Sequence, residues 1–83
     1  MMAIEEKEIY QRLTAIFREV FDDEYVTPEA KTTAADVSGW DSLSNILLVV
    51  TVEEEFGIQF STGEVAGLKN VGEFVSVIKS RLA

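Results

Sequence analysis

A chain of 83 residues allows one domain, spanning 1–83, and with neither cysteine nor histidine it has no disulfide and no thiolate or imidazole metal ligand. A net charge of −8 excludes nucleic acid and anionic lipid as natural partners and favours proteins with basic patches, although such charge also serves solubility. No run of about 18 apolar residues occurs, so no membrane insertion is expected, and the acidic start MMAIEEKEIY is unlike a signal peptide, which points to the cytoplasm.

From Ile4 to Phe21, the apolar residues Ile9, Leu13, Ile16, Phe17 and Val20 recur at helical spacing, with charged residues on the other faces. This predicts an amphipathic helix with one buried stripe. Residues 22–41 have no sustained period. Thr27 as cap and Pro28 at a first helical position could open one short turn there. The rest reads as a long ordered loop anchored by Val26, Ala34 and Val37, and a loop of that length often has a function.

A second helix runs from behind Asp41 to Phe56, where Gly57 stops it. Ser61 and Glu64 form a capping box that opens a short third helix to about Gly67. Ile58, Phe60, Val65 and Leu68 are core candidates around it. Asn70 caps a last helix whose Val71, Phe74, Val75, Ile78 and Leu82 follow helical spacing. Gly72 inside it costs about 1 kcal/mol relative to alanine. No segment alternates as a strand would. The expected fold is all-α: a small four-helix bundle of three long helices and one short, with a long loop between the first two.

The second helix has two apolar stripes. At ~100° per residue, Leu48, Val49, Val52 and Phe56 fall on one side, and Leu43, Ile46, Leu47 and Val50 fall nearly opposite, continued by Glu53 and Glu54. A helix in a small bundle buries one face. The Phe56 side is assigned to the core. The Leu43 side is then a docking surface, unless the long loop folds back over it. Glu53, Glu54 and Glu55 oppose the helix dipole. They are either ordinary surface variation or carboxylates awaiting a cationic partner.

Ser42 and Asp41 stand at the mouth of this helix, and either could be the N-cap. Ser42 fails as a hydrolytic nucleophile, because the chain has no histidine and no G-x-S-x-G elbow. No catalytic residue is assigned, and adjacent Glu53 and Glu54 flank no cleft for glycosidase chemistry. What remains for Ser42 is capping, or modification by another enzyme. A helix N-terminus tolerates an attached phosphate, since free amides and the dipole both favour the anion.

Here the sequence resembles the acyl carrier protein family. Asp41-Ser42-Leu43 matches the family's Asp-Ser-Leu motif, and Glu53-Glu54-Glu55-Phe56 follows at the family's distance. Val26-Thr27-Pro28-Glu29-Ala30 and Asp36-Val37 are similar to the family's loop, and the likeness covers nearly all of residues 4–82. The resemblance implies a non-catalytic carrier. Ser42 would accept 4′-phosphopantetheine from a phosphopantetheinyl transferase using coenzyme A, and the terminal thiol of that arm would carry acyl groups as thioesters. Asp41 would assist recognition or metal positioning during modification. Leu43, Ile46, Leu47 and Val50 would contact acyl-loading and acyl-transferring enzymes, with Glu53 and Glu54 pairing to their basic residues, and the carrier would act as a monomer.

Two departures stand out. Fatty-acid carriers often place acids where this chain has Ser44 and Leu47, and the Ser38-Gly39-Trp40 turn is one residue longer than the common Leu-Gly-Ala type. A carrier for a specialised lipid, fatty-acid or polyketide pathway is therefore expected. Trp40 either packs on the bundle or contacts the arm or a partner. The alternative to a carrier is an interaction module that uses the Leu43/Ile46/Leu47/Val50 face, with Ser42 only a cap.

Overall fold

Among the described residues, four α-helices form where the apolar periods and caps place them. The structure, a computed structural model, describes residues 5–66 and 68–82. Ile4 and Gly67, the outer limits expected for two helices, lie outside those residues. The first helix, α1 (Glu6–Val20), buries Ile9, Leu13, Ile16 and Phe17 on one stripe. Glu6 and Glu8 in its first turn and Arg18 in its last suit the helix dipole. The second, α2 (Ser42–Phe56), stops at Gly57, whose left-handed φ of +67° lets its amide donate to the Glu53 carbonyl.

The short helix α3 (Thr62–Ala66) opens on the expected capping box. The Ser61 amide donates to Glu64 Oε1 at 2.9 Å, and the Glu64 amide donates to Ser61 Oγ at 3.3 Å. In α4 (Val71–Leu82) the cap is Asn70, whose Oδ1 accepts the Glu73 amide at 2.9 Å. Among the described residues there is no strand.

One core joins α1, α2 and α4. Phe17, Ile9, Leu13, Leu48, Ile78, Val52 and Val71 are its largest fully buried side chains. Burial of each contributes roughly 1.5–3 kcal/mol. α1 and α2 are antiparallel: Phe17, late in α1, meets Trp40 just ahead of α2, while Arg12 reaches Glu55 near the end of α2. Ile58, Phe60, Val65 and Leu68 are only half-buried, because α3 is too short to cover them. Phe60 still stacks 5.5 Å from Phe74.

The long loop differs from expectation in two places. No helical turn opens at Thr27-Pro28. Pro28 is buried, and a turn follows in which the Thr32 amide donates to the Glu29 carbonyl at 3.0 Å. The one helical turn is instead a 3-10 turn over Ala34–Asp36, where the Asp36 carboxylate accepts the Thr33 amide at 2.9 Å. The loop carbonyls of Thr32 and Ala30 accept the Val71 and Gly72 amides at 2.8 and 2.9 Å. These amides would otherwise be orphans at the start of α4, and a helix starting at Pro28 would need the same carbonyls itself. Of the three expected anchors, Val37 is buried and Val26 packs on the core, but Ala34, taken into the 3-10 turn, is exposed at the edge of a cleft.

Candidate functional site

The site begins at the turn that delivers the chain into α2. The Trp40 amide donates to the Val37 carbonyl at 3.2 Å, and Gly39 supplies the left-handed φ of +87° that the turn requires. Trp40 then turns inward. Its ring meets Phe17 edge-on at 5.3 Å and Phe21 at 5.9 Å, and its Nε1–H donates to Asn45 Oδ1 at 3.0 Å. Trp40 thus packs on the bundle, and it stays half-buried, lining the cleft beside Ser42.

Asp41, not Ser42, is the N-cap. Its carboxylate accepts the Leu43 and Ser44 amides at 3.1 and 2.9 Å. Ser44 Oγ accepts the Asp41 amide at 2.8 Å and donates to the Gly39 carbonyl at 2.6 Å. The Ser44 amide, followed by the Ser44 hydroxyl, holds the Asp41 carboxyl below its ordinary pKa. Ser42 occupies the first position of α2, exposed, and its hydroxyl has no hydrogen bond among the described residues. Two of the amides expected to be free for a phosphate, those of Leu43 and Ser44, are already taken by Asp41, so the Ser42 amide, unbonded among the described residues, and the dipole are what remain to favour an anion there.

Ser42 lies between two recesses. Behind it, a cleft of about 370 Å³ runs between the loop, the start of α2 and α3, with Trp40, Asn45, Val65 and Phe74 among its walls. In front, a shallow groove of about 530 Å³ follows the outer side of α2 past Asp41, Leu43, Ile46, Leu47 and Val50. The two stripes of α2 part as expected. Leu48 and Val52 are fully buried, whereas Leu43, Ile46, Leu47 and Val50 are 78, 62, 53 and 44% exposed. The long loop does not cover the outer stripe; its carbonyls bond to α4 through Ala30 and Thr32 and to Arg18 of α1 through Val26.

The glutamates at the far end, about 18 Å along the axis from Ser42, divide in role. Glu53 Oε2 accepts the Phe60 amide at 2.9 Å, which ties down the chain after Gly57. Glu55 pairs with Arg12 of α1 at 3.5 Å, which offsets part of the unfavourable dipole. Glu54 is exposed and has no ion pair among the described residues. Sequence reasoning missed Asn45, Lys69 and Asn70 as walls of the inner cleft. The one available signal was an asparagine inside the apolar run of α2.

Comparison with known proteins agrees with this architecture. The family model for the phosphopantetheine attachment site matches residues 11–78. The acyl carrier protein of Thermotoga maritima is 35% identical over 92% of this chain and 94% of its own length. That of Acidothermus cellulolyticus is 39% identical over 93% and 92%. The meromycolate extension acyl carrier protein of Mycolicibacterium aurum is 35% identical over 94% of this chain and 80% of its own. The solution structure of holo acyl carrier protein from Geobacter metallireducens superposes with a TM-score of 0.82 at 41% identity, covering 88% of this chain and 84% of that one. The helical bundle, the family match and these relatives together establish that the chain belongs to the acyl carrier proteins, which bear 4′-phosphopantetheine covalently and are carriers rather than catalysts.

Proposed function

We propose that Ser42 is the attachment point of the 4′-phosphopantetheine, and that the chain carries acyl groups on it as thioesters for a specialised lipid, fatty-acid or polyketide pathway. The observation that supports this is the exposed hydroxyl of Ser42, left without a partner among the described residues because Asp41 and Ser44 cap α2 with each other. An attached phosphodiester fits the site: the hydroxyl stands at the positive end of a 15-residue helix, with open space before and behind it. When bound, the group supplies the thiol that a chain without cysteine lacks.

In the attachment, Ser42 Oγ forms a bond to the phosphorus of the 4′-phosphate of coenzyme A, and the pyrophosphate P–O bond breaks. Adenosine 3′,5′-bisphosphate leaves, and the hydroxyl proton passes to a base of the transferase. Asp41 remains ionised beside Ser42, since its pKa is lowered by the cap bonds. That carboxylate is available to the transferase or to a divalent ion that offsets its charge.

Leu43, Ile46, Leu47 and Val50 form the flank on which phosphopantetheinyl transferase and acyl-loading and acyl-transferring enzymes dock. Glu54, and the Glu53 oxygen not used by Phe60, face the basic patches of those enzymes. With Ser44 tied into the cap and Leu47 exposed, the flank is more apolar than one bearing acids at both positions, which favours a specialised pathway. The presence of meromycolate extension carriers among the relatives points the same way. A net charge of −8 opposes pairing of two copies through the flank, so the carrier works as a monomer, in the cytoplasm.

Incubation with coenzyme A and a permissive transferase is expected to add one phosphopantetheine mass to the parent and none to Ser42→Ala. A Ser42→Ala protein that still gains the mass, or a parent refused by every transferase tried, overturns the assignment. The uncovered flank also fits a docking module without an arm. That reading requires Ser42→Ala to retain full function while Ile46→Asp loses it.

A further inference from the structure

An asparagine stands inside the apolar run of α2. At ~100° per residue Asn45 falls with Val49 and Val52 on the core side, nearly opposite Leu43, Ile46, Leu47 and Val50. Asparagine is a poor helix former, and it brings a polar amide to a side that is otherwise apolar. In a half-buried bond, its Oδ1 accepts the indole N–H of Trp40 at 3.0 Å, five residues back and ahead of the helix. An indole N–H only donates, so the bond also fixes which end of the amide meets it. Ser44, the neighbour of Asn45, reaches back five residues as well: its hydroxyl donates to the Gly39 carbonyl at 2.6 Å, and it accepts the Asp41 amide at 2.8 Å. Adjacent side chains of α2 thus clasp the entry turn Gly39–Asp41 by its backbone and by its one large side chain, and Ser42 is the next residue of the chain. The Ser44 bonds are exposed, where water competes for the same groups, whereas the Asn45 bond is half-buried. The Trp40 ring is also held by Phe17 and Phe21 at 5.3 and 5.9 Å, so the bond couples the start of α2 to a ring packed against other elements. Gly39, at a φ of +87°, gives the turn no stiffness of its own.

We propose that Asn45, acting through Trp40, is a positioning residue for the modification of Ser42: it holds the entry turn so that the Ser42 hydroxyl meets the phosphorus of coenzyme A in line. The inference rests on Ser42 being the attachment point. In that transfer Ser42 Oγ forms the bond to the phosphorus of the 4′-phosphate. The pyrophosphate P–O bond breaks, its electron pair leaves on adenosine 3′,5′-bisphosphate, and the hydroxyl proton goes to a base of the transferase. Asn45 and Trp40 act on none of these atoms directly. The rate of such a displacement is steep in geometry, and a misplacement of about 1 Å costs up to ~10²-fold. Docking is a separate matter, because the exposed Leu43, Ile46, Leu47 and Val50 lie on the other side of α2. The Trp40–Asn45 pair therefore acts on kcat and leaves KM alone.

The test compares the parent with Asn45→Leu, Asn45→Asp, Trp40→Phe and the Asn45→Leu, Trp40→Phe double variant, each as the whole chain with a transferase and coenzyme A. Intact mass of the parent comes first. A parent that takes no arm overturns the attachment reading and this inference with it, whereas a parent that loads puts Asn45 alone to the test. The indole N–H resonance of Trp40, the only tryptophan, reports whether the bond is present, and circular dichroism reports the helices. Asn45→Leu removes the acceptor and is expected to lower kcat about tenfold, with KM within about twofold of the parent. Asn45→Asp keeps an oxygen for the indole N–H, early in α2 where the dipole favours its charge, and is expected to retain most of the rate. Trp40→Phe keeps a ring against Phe17 and Phe21 but has no N–H. It is expected to match Asn45→Leu, and the double variant to be no slower than either single one, as groups joined in one bond require. Should Asn45→Leu not fold, Trp40→Phe and Asn45→Asp decide the matter. Folded variants without the bond that are modified at the parent's kcat, or that lose rate only through KM, overturn the proposal. So does a double variant whose losses multiply, or an Asn45→Asp protein as slow as Asn45→Leu.

Discussion

Asp41 and Ser44 cap α2 with each other's groups: the Asp41 carboxylate accepts the Ser44 amide at 2.9 Å, and the Ser44 hydroxyl accepts the Asp41 amide at 2.8 Å. Ser42, between them, is left out of the cap. Asp41→Ala should therefore cost about 0.5–2 kcal/mol. Ser42→Ala should stay within about 0.5 kcal/mol of the parent. Urea unfolding of the unmodified proteins measures both. Equal losses would mean that Ser42 has a structural role after all.

Gly72 sits where the loop meets α4. A Cβ there would lie 3.0 Å from the Ala30 carbonyl oxygen and 3.2 Å from the Ala30 Cβ, and the Gly72 amide donates to that same carbonyl. On helix propensity alone, Gly72→Ala would gain about 1 kcal/mol. Crowding of a bonded carbonyl works against it at about 1–3 kcal/mol. The expected outcome is net destabilisation of about 1 kcal/mol, read from the urea midpoint, with faster hydrogen exchange at the Val71 and Gly72 amides. A more stable variant would mean that the loop yields freely.

Ile46 is 62% exposed on the outer stripe of α2. Ile46→Asp should change stability by no more than about 0.5 kcal/mol. The same variant should weaken transferase and acyl-enzyme docking at least tenfold, as expected where an anchor side chain contributes more than about 1.4 kcal/mol. Titration calorimetry and modification kinetics, compared with the melting temperature, separate the two effects. Unchanged docking would remove the flank from the interface.

Acid should loosen two caps. The Asp41 carboxyl is lowered by the Ser44 amide, and the Glu64 carboxyl by the Ser61 amide and then Arg81. A carboxyl lowered by folding gives its full stabilisation above its unfolded pKa, and loses it as pH falls through the lowered folded value. The ordinary values are 3.8 for Asp41 and 4.5 for Glu64, so the loss lies below those values and is absent at neutral pH. The doubly substituted Asp41→Asn, Glu64→Gln protein has no carboxyl to titrate at either cap. Its stability, followed by urea unfolding from pH 7 to pH 3, should fall less steeply than that of the parent. Parallel curves would contradict the assignment.

Added salt should stabilise the fold. Fifteen acids against seven bases repel one another, and at about 0.15 M salt the screening length is about 8 Å. The ion pairs Arg12 with Glu8 and Glu55, Lys79 with Glu6, and Arg81 with Glu64 lie at the surface, where each contributes about 0–1 kcal/mol and has little to lose. The melting temperature should rise between low and moderate salt. A flat response would mean that the paired charges already balance the repulsion.

Periodicity and caps were legible residue by residue. Ile9, Leu13 and Phe17 on α1, the two stripes of α2, the stop at Gly57, the Ser61–Glu64 box and the Asn70 cap all depend on groups within a few positions of one another, where helix geometry relates spacing directly to direction. The Asp41-Ser42-Leu43 motif likewise pointed to the right family. Other features lay beyond that reach. Nothing local distinguishes Glu53, bonded to the Phe60 amide, from Glu54, left to solvent. The Thr27-Pro28 turn failed because the carbonyls of Ala30 and Thr32 serve α4, some 40 residues later in the chain, and the Ala34 anchor failed because that residue enters the 3-10 turn and is exposed.

The amino-acid order alone therefore determined which stretches become helices, which faces are apolar and where a hydroxyl stands at a helix mouth, because these follow from short-range geometry. Only the tertiary structure decided that the outer stripe stays bare, that Trp40 is drawn in against Phe17, and that Asn45, Lys69 and Asn70 share one cleft behind Ser42. Those outcomes depend on which distant groups compete for the same hydrogen bonds and the same buried space, and residue spacing carries no record of that competition.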